Sequence, residues 1–175
     1  MRSKRFLLVV VQLALIAVLL LSACAPKATE APAKAIRVAV VMPSSITDMA
    51  FSQSMWSALT AVQAEMGGEA AMEIKYSENM FKVPDAATAI RDYASQGFDI
   101  VIAHGSQYGS SVQEIAPDFP AITFAWGTDV NTFGMANVYA YTAAAEEGGY
   151  INGVMAGMLT KSGVIGVTGP VEVGD

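Results

Sequence analysis

The sequence predicts an α/β domain, a doubly wound parallel sheet with helices on both faces. Three observations carry that expectation. Short apolar runs rich in β-branched residues recur along the chain, each closed by proline, glycine or a polar loop, as buried parallel strands require. Segments with apolar residues at helical spacing stand between them. The two kinds alternate, so successive strands run side by side in one direction.

Ile36-Arg37-Val38-Ala39-Val40-Val41-Met42 is the first strand, closed by Pro43. Pro43 to Asp48 is polar and offers several N-cap oxygens, so a helix follows. Met55, Leu59, Val62 and Met66 recur at spacings of four, three and four and predict one apolar stripe, ended by Gly67-Gly68. In an open α/β sheet this loop lies at the carboxyl end of a strand, where a helix N-terminus points free N–H groups at a ligand. Asp48 to Gln53 is therefore the first expected binding surface.

Ala71 to Tyr76 reads as a second strand with mixed faces. Val83-Pro84-Asp85 opens a helix whose Ala87, Ile90 and Ala94 share a face and which Gly97 closes. Asp99 to Ala103 is a third strand, expected at the centre of the sheet, and His104 to Ser111 is a second polar, glycine-bearing loop. A short helix carrying Val112, Ile115 and Ala116 stops at Pro117. Ala121 to Ala125 is a fourth strand, with Trp126 to Asp129 in the loop after it, and Asn137 to Thr142 is a fifth.

Ala144 to Thr160 is strongly helical, with Glu146 and Glu147 in the first turn where they complement the helix dipole. Gly149, Gly153 and Gly157 repeat along one face. A membrane dimerisation face is one reading of that repeat. The segment falls short of the roughly 20 apolar residues a span needs, so close packing on a neighbouring helix or on the sheet is expected instead. Gly163 to Gly169 reads as a final strand, and a strand pointing onward so near Asp175 predicts a second half that this chain does not include. Residues 36–175 are thus expected to form one ligand-binding lobe and the start of a crossover.

The first 23 residues stand apart. Met1 to Arg5 is basic, Phe6 to Leu21 is apolar except for Gln12, and Leu21-Ser22-Ala23-Cys24 follows. This pattern resembles a bacterial lipoprotein signal with its cleavage box, which makes Cys24 the lipid-bearing N-terminus of the mature protein. A transmembrane helix is the alternative reading. Residues 24–35 are small, polar and proline-containing, as a tether between lipid and domain needs. Removing Arg2, Lys4 and Arg5 from the 10 basic residues leaves seven against 16 acidic ones, a side-chain charge of −9. Such a surface repels phosphate backbones, which argues against nucleic acid as a partner. Cys24 is the only cysteine, so no intramolecular disulfide is available.

Catalytic patterns are sparse. His104 is the only histidine and has no cysteine or second histidine to share a metal, so a structural, hydrogen-bonding role is expected for it. Neither a nucleophile elbow nor a phosphate-cradling glycine motif occurs, and no cofactor is implied. What the strand-end loops share is aromatic and neutral polar character. Asp48, Phe51, Ser52 and Gln53 come from the first, Gly105, Ser106, Tyr108 and Ser110 from the second, and Trp126, Gly127 and Asp129 from the third. An aromatic face with a few aimed polar groups suits a small, flat, uncharged solute. Each has a plainer reading: Asp48 as a helix cap, Phe51 and Trp56 as core.

Several of these stretches together resemble one family. They are the lipobox, the strand Ile36 to Met42, Asp48 to Trp56, the loop Gly105 to Ser110 with Phe119-Pro120, and Glu146 to Gly153 with Ile165-Gly166. The chain is similar there to the basic membrane protein family of substrate-binding lipoproteins, many of which bind purine nucleosides for ABC transporters. Two positions depart from the family's pattern, Ser52 where asparagine is usual and Ser110 where an aspartate often stands. The resemblance implies a type I periplasmic-binding-protein lobe and a nucleoside-like ligand. It also implies an ABC permease as partner, a lipid-anchored extracytoplasmic location, a monomer and no enzymatic activity. A sensory receptor of the same fold is the alternative, and a nucleoside-processing enzyme a more distant one, because the loops offer only Asp48 and Asp129 as scattered carboxylates.

Overall fold

The computed structural model describes residues 34–168. The expected signal segment, Cys24 and nearly all of the tether lie outside the described residues. Strands β1 (Ile36–Val41), β2 (Met72–Ser77), β3 (Ile100–His104), β4 (Thr123–Gly127) and β5 (Val138–Tyr141) form one sheet in the order β2-β1-β3-β4-β5. Every pair is parallel. The helices between them are α1 (Phe51–Met66), α2 (Val83–Ser95) and α3 (Gly109–Ile115), with single 3-10 turns flanking α3; α4 (Ala145–Leu159) follows β5. This is the doubly wound arrangement expected, with β3 central.

Residues alternate between the two faces of the sheet, and each face has its own core. Ala39, Val41, Val101, Ala103, Phe124, Trp126 and Val138 point to the side covered by α2 and α3, where Ala86, Ile90, Ala94, Val112 and Ile115 meet them. Val38, Val40, Met42 and Ile102 point to the other side and pack on Leu59 and Met55 of α1. The strand order reverses between β1 and β3, and in such folds ligands bind beyond the carboxyl ends of the strands at that point. The opposite edge is tied for stability: Arg37 bonds Glu73 at 3.0 Å, donates to the Gln96 and Gly97 carbonyls and lies 4.1 Å over the Phe98 ring.

Five sequence expectations need correction. Val62 and Met66 are 45% and 42% exposed, because the inward stripe of α1 runs instead through Ser52, Met55 and Leu59. That phase is set by Ser52, whose hydroxyl is bonded to Ser44 and so turns inward. In α2 it is Ala86, rather than Ala87, that is fully buried beside Ile90 and Ala94. Strand β4 runs on through Gly127, so Trp126 and Gly127 belong to the sheet and not to the loop after it. The glycines of α4 press on nothing, since a methyl at Gly149, Gly153 or Gly157 would meet open space and the helix buries none of its residues. Residues 163–168 of the expected final strand form no strand, Gly169 lies outside the described residues, and among the described residues β5 has no further neighbour in the sheet. No helix among the described residues is long and apolar enough to cross a membrane.

Candidate functional site

The first loop is built around Asp48. Its carboxylate accepts the backbone N–H groups of Ala50 (2.8 Å), Ser52 (3.1 Å) and Gln53 (3.1 Å) and the Ser44 hydroxyl. The bond from Ser44 leads the causes that hold this carboxyl well below the usual carboxylate range, and the three N–H groups add to it. Asp48 is thus the cap of α1, and the N–H groups that could have met an anionic ligand are occupied. Ser52 is fully buried, and its hydroxyl bonds only to Ser44, at 2.8 Å from the Ser44 hydroxyl and 3.2 Å from the Ser44 N–H. Gln53 uses its side-chain oxygen to accept the Met49 N–H at 2.7 Å, and that bond holds Met49 in a left-handed conformation with its side chain 91% exposed.

Phe51 opens α1 with 38% of its surface exposed. Its ring lies flat on the imidazole of His104, with centroids 3.8 Å apart and planes 13° from parallel. His104 is the last residue of β3 and is buried. Its Nε2 faces the Phe51 carbonyl at 3.1 Å and its Nδ1 faces the Tyr141 hydroxyl at 2.7 Å. A carbonyl only accepts, so Nε2 carries the proton and Nδ1 of the neutral ring accepts from Tyr141. Burial pushes the His104 pKa below its ordinary value, against the opposing pulls of the Phe51 carbonyl and the Asp48 charge. Burial also raises the Tyr141 pKa, which keeps that hydroxyl a donor at neutral pH.

Apart from Gly127, which stands between His104 and Tyr141 in the sheet register, the other nominated residues lie on the α2 and α3 side of the same edge. Tyr108 is fully buried and donates to the Met80 carbonyl at 2.8 Å, and burial raises its pKa. Trp126 is 5% exposed, donates from Nε1 to the Gly105 carbonyl at 3.2 Å and stacks on Phe133 with centroids 5.0 Å apart. A methyl at Gly109 would overlap the Trp126 ring, so that glycine lets α3 start directly against the indole. Ser106, Ser110, Gln113, Trp126, Asp129, Asn131 and Phe133 line an open cleft of about 630 Å³. The carboxylate of Asp129 is turned onto the N–H groups of Val130 and Asn131.

The edge therefore carries two groups. Phe51, backed by His104 and Tyr141, lies on the α1 side, with Asp48, Ser52 and Gln53 shaping its loop. Ser106, Ser110 and the edge of Trp126 line the cleft on the other side. Tyr141 is the residue that reading the sequence missed, although it stands opposite Gly127, itself opposite His104, in the sheet register. Among the described residues no group of three or more His, Cys, Asp and Glu side chains could hold a metal.

Comparison with known proteins agrees with this architecture. The family model described as "ABC transporter substrate-binding protein PnrA-like" matches residues 35–174. A purine-binding protein of Brucella abortus (strain 2308) is 30% identical over 102 residues, covering 58% of this chain and 29% of that protein. The transcriptional activator protein Med of Bacillus subtilis (strain 168) is 25% identical over 150 residues, covering 85% of this chain and 44% of that protein. The chain thus spans less than half the length of either relative. A solved ABC transporter solute-binding protein from Conexibacter woesei superposes with a TM-score of 0.61 at 25% identity, over 70% of this chain and 40% of that one. Another, from Aeropyrum pernix K1, gives 0.59 at 16% identity over 69% of this chain and 32% of that one, a likeness of fold. With a family model covering four-fifths of its length, the chain belongs to the PnrA-like substrate-binding proteins of ABC transporters.

Proposed function

We propose that this chain is the first lobe of an extracytoplasmic solute receptor that binds a purine nucleoside, or a similar small polar aromatic solute, for delivery to an ABC permease. The observation that carries the reading is the Phe51 platform at the switch point of the sheet, one face backed by His104. A ring held this way stacks a flat base. The capped N-terminus of α1 favours an uncharged solute over a nucleotide, because the Asp48 carboxylate fills the place a phosphate would take. The family and the purine-binding relative support the same solute class. Ligand contacts are assigned to Phe51, Gln53, Ser106 and Ser110, while Gly127 lies buried beneath the Tyr141 ring and makes room for it. Asp48, Ser52, Gly105, Tyr108 and Trp126 support them from behind.

A second lobe closes on this one in the proposal, hinged beyond β5. Its support is the exposure of α4, which buries none of its residues, and the share of the relatives that the chain spans. Cys24 anchors the receptor to the membrane through lipid, residues 24–35 act as its leash, and the receptor works as a monomer without enzymatic turnover. A ligand-sensing role is the second reading, favoured by the likeness to Med over 85% of the chain. Isothermal titration of the receptor with its second lobe present, against inosine, guanosine, adenosine and the matching 5′-monophosphates, tests the proposal. Nucleosides bind and monophosphates do not. Preference for the monophosphates refutes the assignment of the α1 N-terminus.

A further inference from the structure

We propose that His104 and Tyr141 are positioning residues for the solute platform, joined across Gly127 so that the Phe51 ring is held with one face free. This rests on the reading of Phe51 as the surface that stacks the solute. His104, Gly127 and Tyr141 are successive partners in the register of β3, β4 and β5 and point to the same face of the sheet. Side chains at matched positions on neighbouring strands meet, but two strands apart they are separated by whatever stands between. Here that is a glycine. The gap lets the Tyr141 ring lie over the Gly127 backbone, where a methyl would overlap it, and reach His104 Nδ1 at 2.7 Å. The imidazole and phenol planes lie 11° from parallel, with centroids 6.1 Å apart.

Two hydrogen bonds, one at each nitrogen, leave the imidazole no rotation and a single tautomer. Its face is then a fixed floor for Phe51. Its Nε2–H holds the carbonyl of the same residue whose ring it supports, so backbone and side chain of Phe51 are set by one group. Tyr141 ends β5, the last strand of the sheet, and so the floor is anchored two strands away from the loop it serves. Preorganising a binding ring in this way raises affinity by removing the cost of ordering it on binding.

His104 is the only histidine in the chain, which gives the test a clean signal. In the full chain, nitrogen-15 NMR of the imidazole reports the tautomer, the Phe51 ring protons report the stack, and saturation-transfer NMR with inosine as probe reports binding. The expected imidazole carries its proton on Nε2, and the Phe51 ring protons sit upfield. Tyr141→Phe removes one oxygen and no packing. It moves the Phe51 signals and weakens inosine about threefold to tenfold, the size expected of one aromatic or hydrogen-bond contact. His104→Phe keeps a ring under Phe51 and retains more affinity than His104→Ala. If Tyr141→Phe leaves both the Phe51 signals and inosine affinity unchanged, or if the proton sits on Nδ1, the proposal is overturned. Should the unaltered chain ignore inosine while Tyr141→Phe still moves the Phe51 signals, the positioning role stands and the nucleoside reading falls.

Discussion

Replacing Gly127 with alanine tests the packing of the platform directly. The backbone at Gly127 is not in the left-handed region, so alanine brings no conformational strain of its own. Its methyl would overlap the Tyr141 ring, and the neighbour is the stiff body of an aromatic side chain rather than a flexible tip. Overpacking of this kind costs about 1–3 kcal/mol. If the ring yields, the bond to His104 Nδ1 is lost and the buried nitrogen is left without its donor, adding roughly 1 kcal/mol or more. The sum is about 2–4 kcal/mol of folding stability. Urea unfolding followed by circular dichroism measures it. The same substitution made on a Tyr141→Ala background meets no ring and costs less by at least about 1 kcal/mol, a coupling a double-mutant cycle resolves. Equal costs in the two backgrounds, or a cost in the unaltered protein under about 0.5 kcal/mol, would refute the argument.

The acid side of the stability curve has two expected stages. The unfolded chain protonates His104 near its ordinary value of 6.5 while the folded chain resists, so the unfolded state binds more protons there and stability falls as pH drops below that value. His104→Phe flattens this first stage. Asp48 and Asp99 are both held below the ordinary carboxylate value of 3.8, so their stabilisation is complete above it and is lost as pH falls further; Asp48→Asn shrinks the second stage. Urea midpoints at about pH 7.5, 5.5 and 2.5 follow both stages. In the core, Ile90→Ala removes a fully buried side chain under the sheet and costs about 2–5 kcal/mol by the same unfolding assay. Ser110→Ala, on an exposed position of the cleft, stays within about 0.5 kcal/mol.

The strand pattern was legible because the central strands are apolar runs bounded by breakers, those from Ile36, Ile100 and Thr123 sitting at the heart of the sheet, while the edge strand β2 alternates apolar and charged residues. Phase was harder. In α1 the apolar spacing of Met55, Leu59, Val62 and Met66 is genuine, but the buried face is decided by Ser52, whose hydroxyl pairs with Ser44. Small polar residues that pair inward leave no hydrophobic signal. Trp126 and Tyr108 looked like ligand contacts because they are aromatic and near strand ends, yet β4 continues through Gly127 and alternation turns Trp126 into the core. The apolar run from Gly163 has the composition of a strand but, among the described residues, no neighbour to pair with, and pairing is what makes a strand. The Phe51, His104 and Tyr141 stack depends on the register of three strands far apart in sequence, which no local pattern encodes.

Proton–nitrogen correlation spectra of the chain, recorded while inosine is added, test the central claim most directly. The account predicts fast-exchange shifts centred on Phe51, Gln53, Ser106 and Ser110, with a weak dissociation constant, about millimolar, because a single lobe covers only one face of the base. Shifts centred instead on the Ser77, Asp92 and Tyr93 cleft beside α2, or none at those four residues at saturating inosine, would contradict it.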